Sequence, residues 1–301
     1  MTTLPPLPAH LTQLAPWRSM AALALDWTLI CACFGIAMAW PHPLVYLGAA
    51  ILIARTQLAL AVMMHEGAHG VLANSRRVND FVGQTLAAAP LMLSMFAYRR
   101  GHLQHHRAPM ASDDPVAIMF GIADYPVSEG ELVWRLFKDL TSISYFLSVR
   151  AILMGKHAAA PADTCQSARS AFFTIASIAV ANGLLFGVLA ALGHPLLYAG
   201  LWLLPALTFL QVFARVRAIT EHAGYPASQD QADNARTVVR RSWQTFLFGP
   251  HCIHYHIEHH LNVRVPFYHL RQAHDVLKSQ GMLPAANLYQ GYAKVLSDVT
   301  F

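Results

Sequence analysis

Four long apolar stretches place the strongest constraint on what this chain of 301 residues can fold into. They cover residues 20–40, 44–64, 170–192 and 196–216. A helix of about 20 mostly apolar residues crosses the hydrocarbon core of a bilayer. Short turns at 41–43 and 193–195 join the stretches in pairs, which makes each pair an antiparallel hairpin. The sequence therefore predicts an all-α integral membrane fold with four transmembrane helices in two hairpins.

A fifth apolar stretch, residues 81–98, is shorter and is interrupted by Gly83, Gln84 and Pro90. Its length fits a re-entrant or interfacial segment better than a full span. The composition agrees with a membrane protein, because 55% of the residues are hydrophobic and 12% are charged, whereas soluble domains carry about 25% charged residues. It excludes an ordinary soluble globule and also a disordered chain.

The basic residues predict how the helices are oriented. Of the 21 lysines and arginines, one lies in residues 1–19, ten lie in 65–169 and eight lie in 217–301. Positive charge concentrates on the cytoplasmic side of a membrane protein. We therefore expect one multi-pass domain over residues 1–301, with both termini and the segments 65–169 and 217–301 on the cytoplasmic side as a helical cap that carries the histidines described next.

Histidine is unusually frequent for so apolar a chain, with 17 residues against 16 aspartates and glutamates together. Nine of them form four clusters. The first cluster has two histidines spaced i, i+4, the second and fourth each have three spaced i, i+3, i+4, and the third is a single histidine. These nine are His65 and His69; His102, His105 and His106; His222; and His256, His259 and His260. Side chains at these spacings share one face of a helix, so a cluster can aim two or three imidazoles at one point.

The predicted topology brings all four clusters to one membrane face if the segment 81–98 does not cross. The first and third clusters follow the second and fourth apolar stretches, and the other two lie between the hairpins and in the tail. Imidazole binds zinc, copper, iron and nickel, and nine imidazoles are too many for one ion and suit two. One HxxxH pattern often arises by chance, but three clusters on one face do not. The sequence therefore predicts a shared metal site on the cytoplasmic side.

Several residues beside the clusters are candidates for orienting the imidazoles. Glu66, Glu221 and Glu258 each stand next to a clustered histidine. A carboxylate often accepts a hydrogen bond from the second nitrogen of a metal-bound imidazole. Adjacent positions on a helix point in different directions, so we expect the glutamates to be such partners rather than ligands. His251 and His254 are open to either role.

Asp26 and Arg55 lie inside the predicted spans, where a charged side chain is costly and is usually paired. Counted from the cytoplasmic ends of their helices, the two residues differ in depth by roughly 6 Å, which an arginine side chain can cover. We therefore predict a contact between Asp26 and Arg55, or a contact of both with a polar group of the substrate.

The histidine clusters and the segments around them resemble the membrane fatty acid desaturase and hydroxylase superfamily, the histidine-box di-iron enzymes. The resemblance covers about residues 44–274. Besides the clusters, it rests on Asn79-Asp80-Phe81-Val82-Gly83 with Pro90, on Asp113-Asp114-Pro115, on residues 254–261, on residues 265–270 with His274, and on residues 217–222, which are similar to a bacterial pattern.

This resemblance implies that the nine clustered histidines bind two iron ions, with O2 as co-substrate and no catalytic residue beyond the metal ligands. It adds Asp114 to the residues that are expected to orient the ligands, which are then Glu66, Glu221, His254, Glu258 and Asp114. Ala218 departs from the pattern, because some relatives place an asparagine four residues before the lone histidine. The shell of the second iron therefore lacks that residue.

The implied reaction is the oxidation of an unactivated C–H bond in a lipid acyl chain, and fatty-acyl desaturation is the first interpretation. A hydroxylase, an acetylenase, a carotenoid oxygenase and an alkene-forming fatty acid decarboxylase share the histidine pattern and stay open. A metal transporter is a remote alternative, because its ligands would lie near mid-membrane on discontinuous helices, whereas these clusters lie at the ends of spans.

The resemblance also implies partners and a location. We expect a fatty-acyl or other lipid substrate, surrounding membrane lipid, and an external electron donor of the ferredoxin type with its reductase, since we identify no electron-transfer domain in the chain. The basic side also suits an acyl carrier protein, because carrier proteins and ferredoxins are acidic as a rule. The expected location is a bacterial inner membrane, with the active site on the cytoplasmic side, and no nucleic acid partner is expected.

Overall fold

A computed structural model of the chain describes residues 7–154, 168–228 and 230–301, so part of the predicted segment 65–169 lies outside the described residues. In chain order the helices are α1 (Pro16–Ala39), α2 (Pro43–His69), α3 (Arg76–Leu91), α4 (Met95–Arg107), α5 (Pro115–Phe120), α6 (Glu129–Leu140), α7 (Ile143–Leu153), α8 (Ala168–Ala191), α9 (Tyr198–His222), α10 (Trp243–Phe248), α11 (His256–Leu261), α12 (Leu270–Ser279) and α13 (Tyr292–Asp298). Short 3-10 helices lie at Ala9–Thr12, Ile122–Asp124, Pro250–Cys252, Phe267–His269 and Ala285–Asn287. Two short strands, β1 (Thr237–Val238) and β2 (Leu288–Tyr289), pair in parallel.

Four of the described helices are long and apolar enough to cross a membrane: α1, α2, α8 and α9. The predicted all-α membrane fold is confirmed, and the two-residue strands are a minor addition to it. Helices α3 and α4 meet at an angle of 97°, as in a broken span or a re-entrant loop. The bend follows Pro90, one of the residues that interrupt the predicted segment 81–98.

Helix α2 is the central helix of the fold. It contacts α1, α3, α4 and α9, and 67% of its most apolar window is buried, against at most 33% in the other three spans. It continues beyond the predicted end at residue 64 to His69 and is capped by Gly70, whose backbone is left-handed (φ 82°) and whose N–H donates to the carbonyls of Glu66 and Gly67. This termination places His65 and His69 in the last turns of the best-packed helix.

The chain after α9 folds back onto the same end of the bundle. Helices α10 and α13 contact α9, and the 3-10 turn Pro250–Cys252 contacts α2. Thr237 in β1 forms a β-bridge with Tyr255, the residue just before α11. These contacts fix α11, with its three clustered histidines, against the ends of α2, α4 and α9.

Candidate metal centre

The nine clustered histidines lie together in two adjacent groups. Within each group, one nitrogen per imidazole lies within 4.8 Å of those of the other members. The five-histidine group is His65, His69, His102, His106 and His259, and the four-histidine group is His105, His222, His256 and His260. The groups touch through the rings of His106 and His260, whose centroids are 4.2 Å apart.

Each HxxHH cluster is divided between the two groups. On α4, His102 and His106 belong to the five-histidine group, while His105 belongs to the other. On α11 the division is reversed, because His256 and His260 belong to the four-histidine group and His259 to the five-histidine group. The i, i+4 pairs therefore stay together, and the intervening i+3 residue crosses to the neighbouring group. The spacing alone would allow all three imidazoles of a cluster to point to one metal position. Instead, each HxxHH cluster contributes imidazoles to both groups.

The Nε2 atoms within each group face one another. In the five-histidine group, Nε2 of His69 lies 2.9 Å from that of His102, and Nε2 of His106 lies 3.0 Å from that of His259. In the four-histidine group, Nε2 of His222 lies 2.8 Å from that of His256. A metal with bonds of about 2.1 Å to nitrogen holds neighbouring ligands about 3 Å apart and opposite ones about 4 Å apart.

The chemical state of the imidazoles also fits a metal. His65, His222 and His259 have no exposed surface. Burial, followed by the neighbouring imidazoles, lowers the pKa of His256 and His259 in α11 well below the ordinary value. These imidazoles are neutral, with lone pairs available for a metal. Both ring nitrogens of His65 are buried with no hydrogen-bond partner among the described residues, and a metal ion bound to one of them would reduce this cost.

Hydrogen bonds outside the cluster hold three imidazoles of the four-histidine group. Nδ1 of His105 lies 2.9 Å from Oδ2 of Asp114, and Nδ1 of His222 lies 2.7 Å from the carbonyl oxygen of Asn234. Nδ1 of His260 lies 2.8 Å from Oε1 of Gln231. Such contacts fix the ring and leave Nε2 for a ligand.

Asp114 is well suited to this position. It caps α5 by accepting from the N–H of Val116 at 2.9 Å, and it also accepts from the N–H of Met110 at 2.8 Å. Burial raises its pKa, but the hydrogen bonds from His105 and from these two amides hold the pKa below the ordinary value overall. The carboxylate therefore stays ionised beside His105.

The five-histidine group is held differently. Nδ1 of His65, His69 and His259 has no hydrogen-bond partner among the described residues. Oε1 of Glu66 lies 3.4 Å from Nδ1 of His65, and its Oε2 accepts from the N–H of Phe267 at 2.9 Å. Glu66 is close to an imidazole without forming a hydrogen bond to it.

The other candidate partners have different contacts. Oε1 of Glu221 lies 3.5 Å from Nδ1 of His256, while it accepts from Nε of Arg217 at 2.6 Å. The buried Glu258 carboxylate is hydrogen-bonded to Thr237 and to Nδ1 of His274.

Two histidines beside the fourth cluster do not join the groups. His254 donates from Nδ1 to the carbonyl of Val238 at 2.7 Å, and burial lowers its pKa to about 4. His251 points to Asp26, at 2.7 Å. In the part of the chain that the structure describes, neither His254 nor Glu258 is hydrogen-bonded to one of the nine clustered imidazoles. They position the C-terminal segment instead.

Sequence reasoning missed several contacts of the groups. Gln231 and Asn234 lie between α9 and β1 in a stretch without a recognisable motif, and Gln231 also donates to the carbonyl of His106 at 3.0 Å. The ring of Tyr98 stacks on His102, with centroids 5.1 Å apart. One helical turn separates Tyr98 from His102, so helix periodicity could have identified this contact.

The predicted contact inside the spans is confirmed. Nη1 of Arg55 lies 3.8 Å from Oδ1 of Asp26, and both side chains are mostly buried. His251, which sequence reasoning had placed with the metal site, is the second partner of Asp26.

Comparison with known proteins decides the family. The fatty acid desaturase family model matches residues 40–292, most of the chain. The chain belongs to the fatty acid desaturase family. A curated relative, dihydrorhizobitoxine desaturase from Bradyrhizobium elkanii, is 26% identical over 308 residues, which cover 95% of this chain and 80% of the relative.

Family membership makes this desaturase-family protein an oxidoreductase enzyme of the membrane with a lipid substrate, and it decides against the metal transporter. The two histidine groups of this family member are compatible with metal binding.

Proposed function

We propose that the protein is a fatty-acyl desaturase in which the five-histidine group and the four-histidine group each bind one iron ion. The observation that carries the proposal is the presence of two adjacent, largely buried groups of imidazoles whose spacing suits a metal in each. Iron is among the metals that imidazole binds well. Of those metals, iron is the one that the resemblance to the histidine-box di-iron enzymes implies.

The two bound irons, with O2 and external electrons, would supply the oxidant that an unactivated C–H bond requires. The residues of the chain would supply position and environment. Asp114, Asn234 and Gln231 hold three imidazoles in fixed orientations. Neutral nitrogen ligands leave the metal pair more positive than the carboxylate ligands of soluble di-iron bundles do. Burial of the imidazoles keeps water away from the oxidising centre.

Desaturation is the outcome that the comparisons support among those open to the superfamily. The relative from B. elkanii is itself named as a desaturase. Its name gives dihydrorhizobitoxine, and not a fatty acid, as what it acts on, so the acyl substrate proposed for this chain rests on the family alone.

The orientation and the partners belong to the same proposal. The basic residues of the segments 65–169 and 217–301 support a cytoplasmic position for the histidine groups under the positive-inside rule, and we propose a bacterial inner membrane as the location. Their charge suits an acidic ferredoxin, which would deliver electrons with its reductase, and an acidic acyl carrier protein.

Expression of the full chain together with a ferredoxin and its reductase tests the proposal. Cellular lipids and fatty acids would then be analysed by mass spectrometry, with His105→Ala as the inactive control. A product lighter than its precursor by two hydrogens supports desaturation. A product heavier by one oxygen contradicts it in favour of a hydroxylase, and unchanged lipids under confirmed expression contradict it altogether.

A further inference from the structure

A polar cluster away from the histidine groups lies between α1, α2 and the C-terminal segment. Its centre is Asp26, which is 2% exposed. Asp26 pairs with Nε2 of His251 at 2.7 Å and faces Arg55 at 3.8 Å. Charged groups at the depth of a membrane span are costly and usually mark a functional site. The contacts among these three residues explain how Asp26 is tolerated but leave the purpose of Arg55 open.

These contacts occupy only some of the N–H donors of Arg55. Its Nε donates to the carbonyl of Phe246 at 3.0 Å, and its guanidinium lies over the Phe246 ring, 4.7 Å from the centroid. The distance of 3.8 Å to Asp26 is too long for a hydrogen bond. Among the described residues, the remaining N–H groups of Arg55 have no hydrogen-bond acceptor, which leaves them for another group.

The backbone opposite Arg55 is in an unusual conformation. His251 and Cys252 both have positive φ, at 53° and 58°, a region that costs energy for residues other than glycine. Strain of this kind persists where the surroundings enforce it and is concentrated at ligand sites. Here it directs His251 to Asp26, at the wall of an open cleft.

This cleft has a volume of about 520 Å³, within the range of small-molecule sites. Its lining includes Arg55 and Arg241 together with the apolar side chains of Phe246, Pro250 and Phe267, and no aspartate or glutamate. Burial raises the pKa of the Cys252 thiol in the wall, so that group adds no negative charge. Arg55 offsets Asp26, and the exposed Arg241 gives the cleft a net positive charge.

We propose that this cleft binds the anionic head, a carboxylate or a phosphate, of the amphiphile whose acyl chain is oxidised. Arginine matches such oxyanions because its planar guanidinium presents two parallel N–H donors. Asp26 and His251 are positioning residues: Asp26 lies outside the cleft lining and faces Arg55, and it holds Nε2 of His251 in the cleft wall. The apolar lining suits the first methylene groups below the head.

The inference rests on the proposed function, because it concerns the same substrate. Arg55 precedes His65 on α2 by a rise of about 15 Å along the helix axis. A head group held at Arg55 would therefore lie far from the histidine groups. The acyl carbon that is oxidised would lie well along the chain, not next to the head.

Equilibrium binding to the full chain in nonionic detergent, without electron donor, tests this site separately from turnover. The probes are stearic acid and its uncharged counterpart stearyl alcohol. We expect stearic acid to bind more tightly, and Arg241→Gln to weaken its binding at least about tenfold, as for the loss of a charged hydrogen bond, while stearyl alcohol is unaffected. Arg240→Gln is the matched control, because Arg240 is exposed and does not line the cleft.

Competition distinguishes the two oxyanions. Displacement of stearic acid by inorganic phosphate or by phosphatidylglycerol vesicles assigns the site to a phosphate head, and absence of displacement assigns it to a carboxylate. The inference is overturned if no anionic probe binds in a manner that depends on Arg241.

Folding and turnover are controlled separately. Arg55→Gln should weaken the binding of stearic acid as Arg241→Gln does. Arg55→Lys, which retains the charge, should retain more of the binding and replaces Arg55→Gln if that variant fails to fold. If the binding results hold while lipid oxidation is absent, the proposed function fails and the anion site stands. If oxidation is present and no anionic probe binds, the site fails and the proposed function stands.

Discussion

The two histidine groups are positioned by different means. In the four-histidine group, Asp114, Asn234 and Gln231 hold three imidazoles through their second nitrogen. In the five-histidine group, the second nitrogens of His65, His69 and His259 have no such partner among the described residues. One group is fixed by hydrogen bonds from loops, and the other by the packing of the helices that carry it.

Close packing between α2, α3 and α4 positions the two histidines of α2 in place of such hydrogen bonds. A Cβ added at Gly67 would lie 2.7 Å from Sδ of Met95 and 3.3 Å from Cα of Gly83. Gly67 lies between His65 and His69, so helix contact at this point sets the position of both imidazoles. We therefore expect the two groups to respond to different kinds of substitution.

The largest effect is expected from removing ligands. His105→Ala leaves three histidines in its group, and His259→Ala leaves four in the other. We expect both variants to lose activity, but His105→Ala to lose one metal ion per chain and His259→Ala to retain part of its second ion. Metal analysis of the purified variants, with the exposed His194→Ala as control, measures this. Equal metal loss in both variants would contradict the expected difference between the two groups.

A smaller effect is expected from Asp114→Asn. The variant loses the ionised partner of His105, and loss of such a partner typically weakens metal binding about 10–100-fold. The effect should be confined to one of the two metal ions in a chelator titration. Asp113→Asn, at the exposed neighbouring carboxylate, should leave the titration unchanged. Weakening of both ions alike would contradict separate support of the groups.

Gly67→Ala tests the packing of the five-histidine group. Overpacking of this kind destabilises a protein by about 1–3 kcal/mol. We expect a lower melting temperature and weaker binding of the metal ion in the five-histidine group. Gly48→Ala is the matched control on the same helix, because a Cβ there meets nothing within 4 Å. An unchanged melting temperature in Gly67→Ala would show that the side chain of Met95 moves aside at little cost in stability.

The smallest effect is expected from Glu66→Gln. The amide oxygen can still accept from the N–H of Phe267, and Glu66 forms no hydrogen bond to His65. We expect metal content close to that of the unchanged protein. A loss as large as that in Asp114→Asn would show that Glu66 supports His65 directly, which would make the two groups alike.

Much of the fold was accessible from the sequence because bilayer thickness sets the length of an apolar helix. The four spans follow from that constraint, and the non-crossing segment near Pro90 follows from its short length and its interruptions. The Asp26–Arg55 contact followed from the cost of charge in a membrane. The extension of α2 to His69 was missed, because a buried helix can continue beyond the bilayer when other parts of the protein cover it.

The candidate site was only partly predictable. The spacing of the clusters identified nine histidines that the structure brings together, but not their division into five and four. That division depends on how α4 and α11 face each other, which no local pattern encodes. The placement of Gln231 and Asn234 was equally inaccessible, because a loop reaches its contacts through tertiary packing. The role of His251 was hidden for the same reason, since its partner Asp26 is distant in sequence.

We propose that each histidine group binds one iron ion. The most direct test is elemental analysis of the full chain, purified in detergent after expression in iron-replete medium. We expect two irons per chain, falling to about one in His105→Ala. A protein that holds one zinc ion and no iron would contradict it.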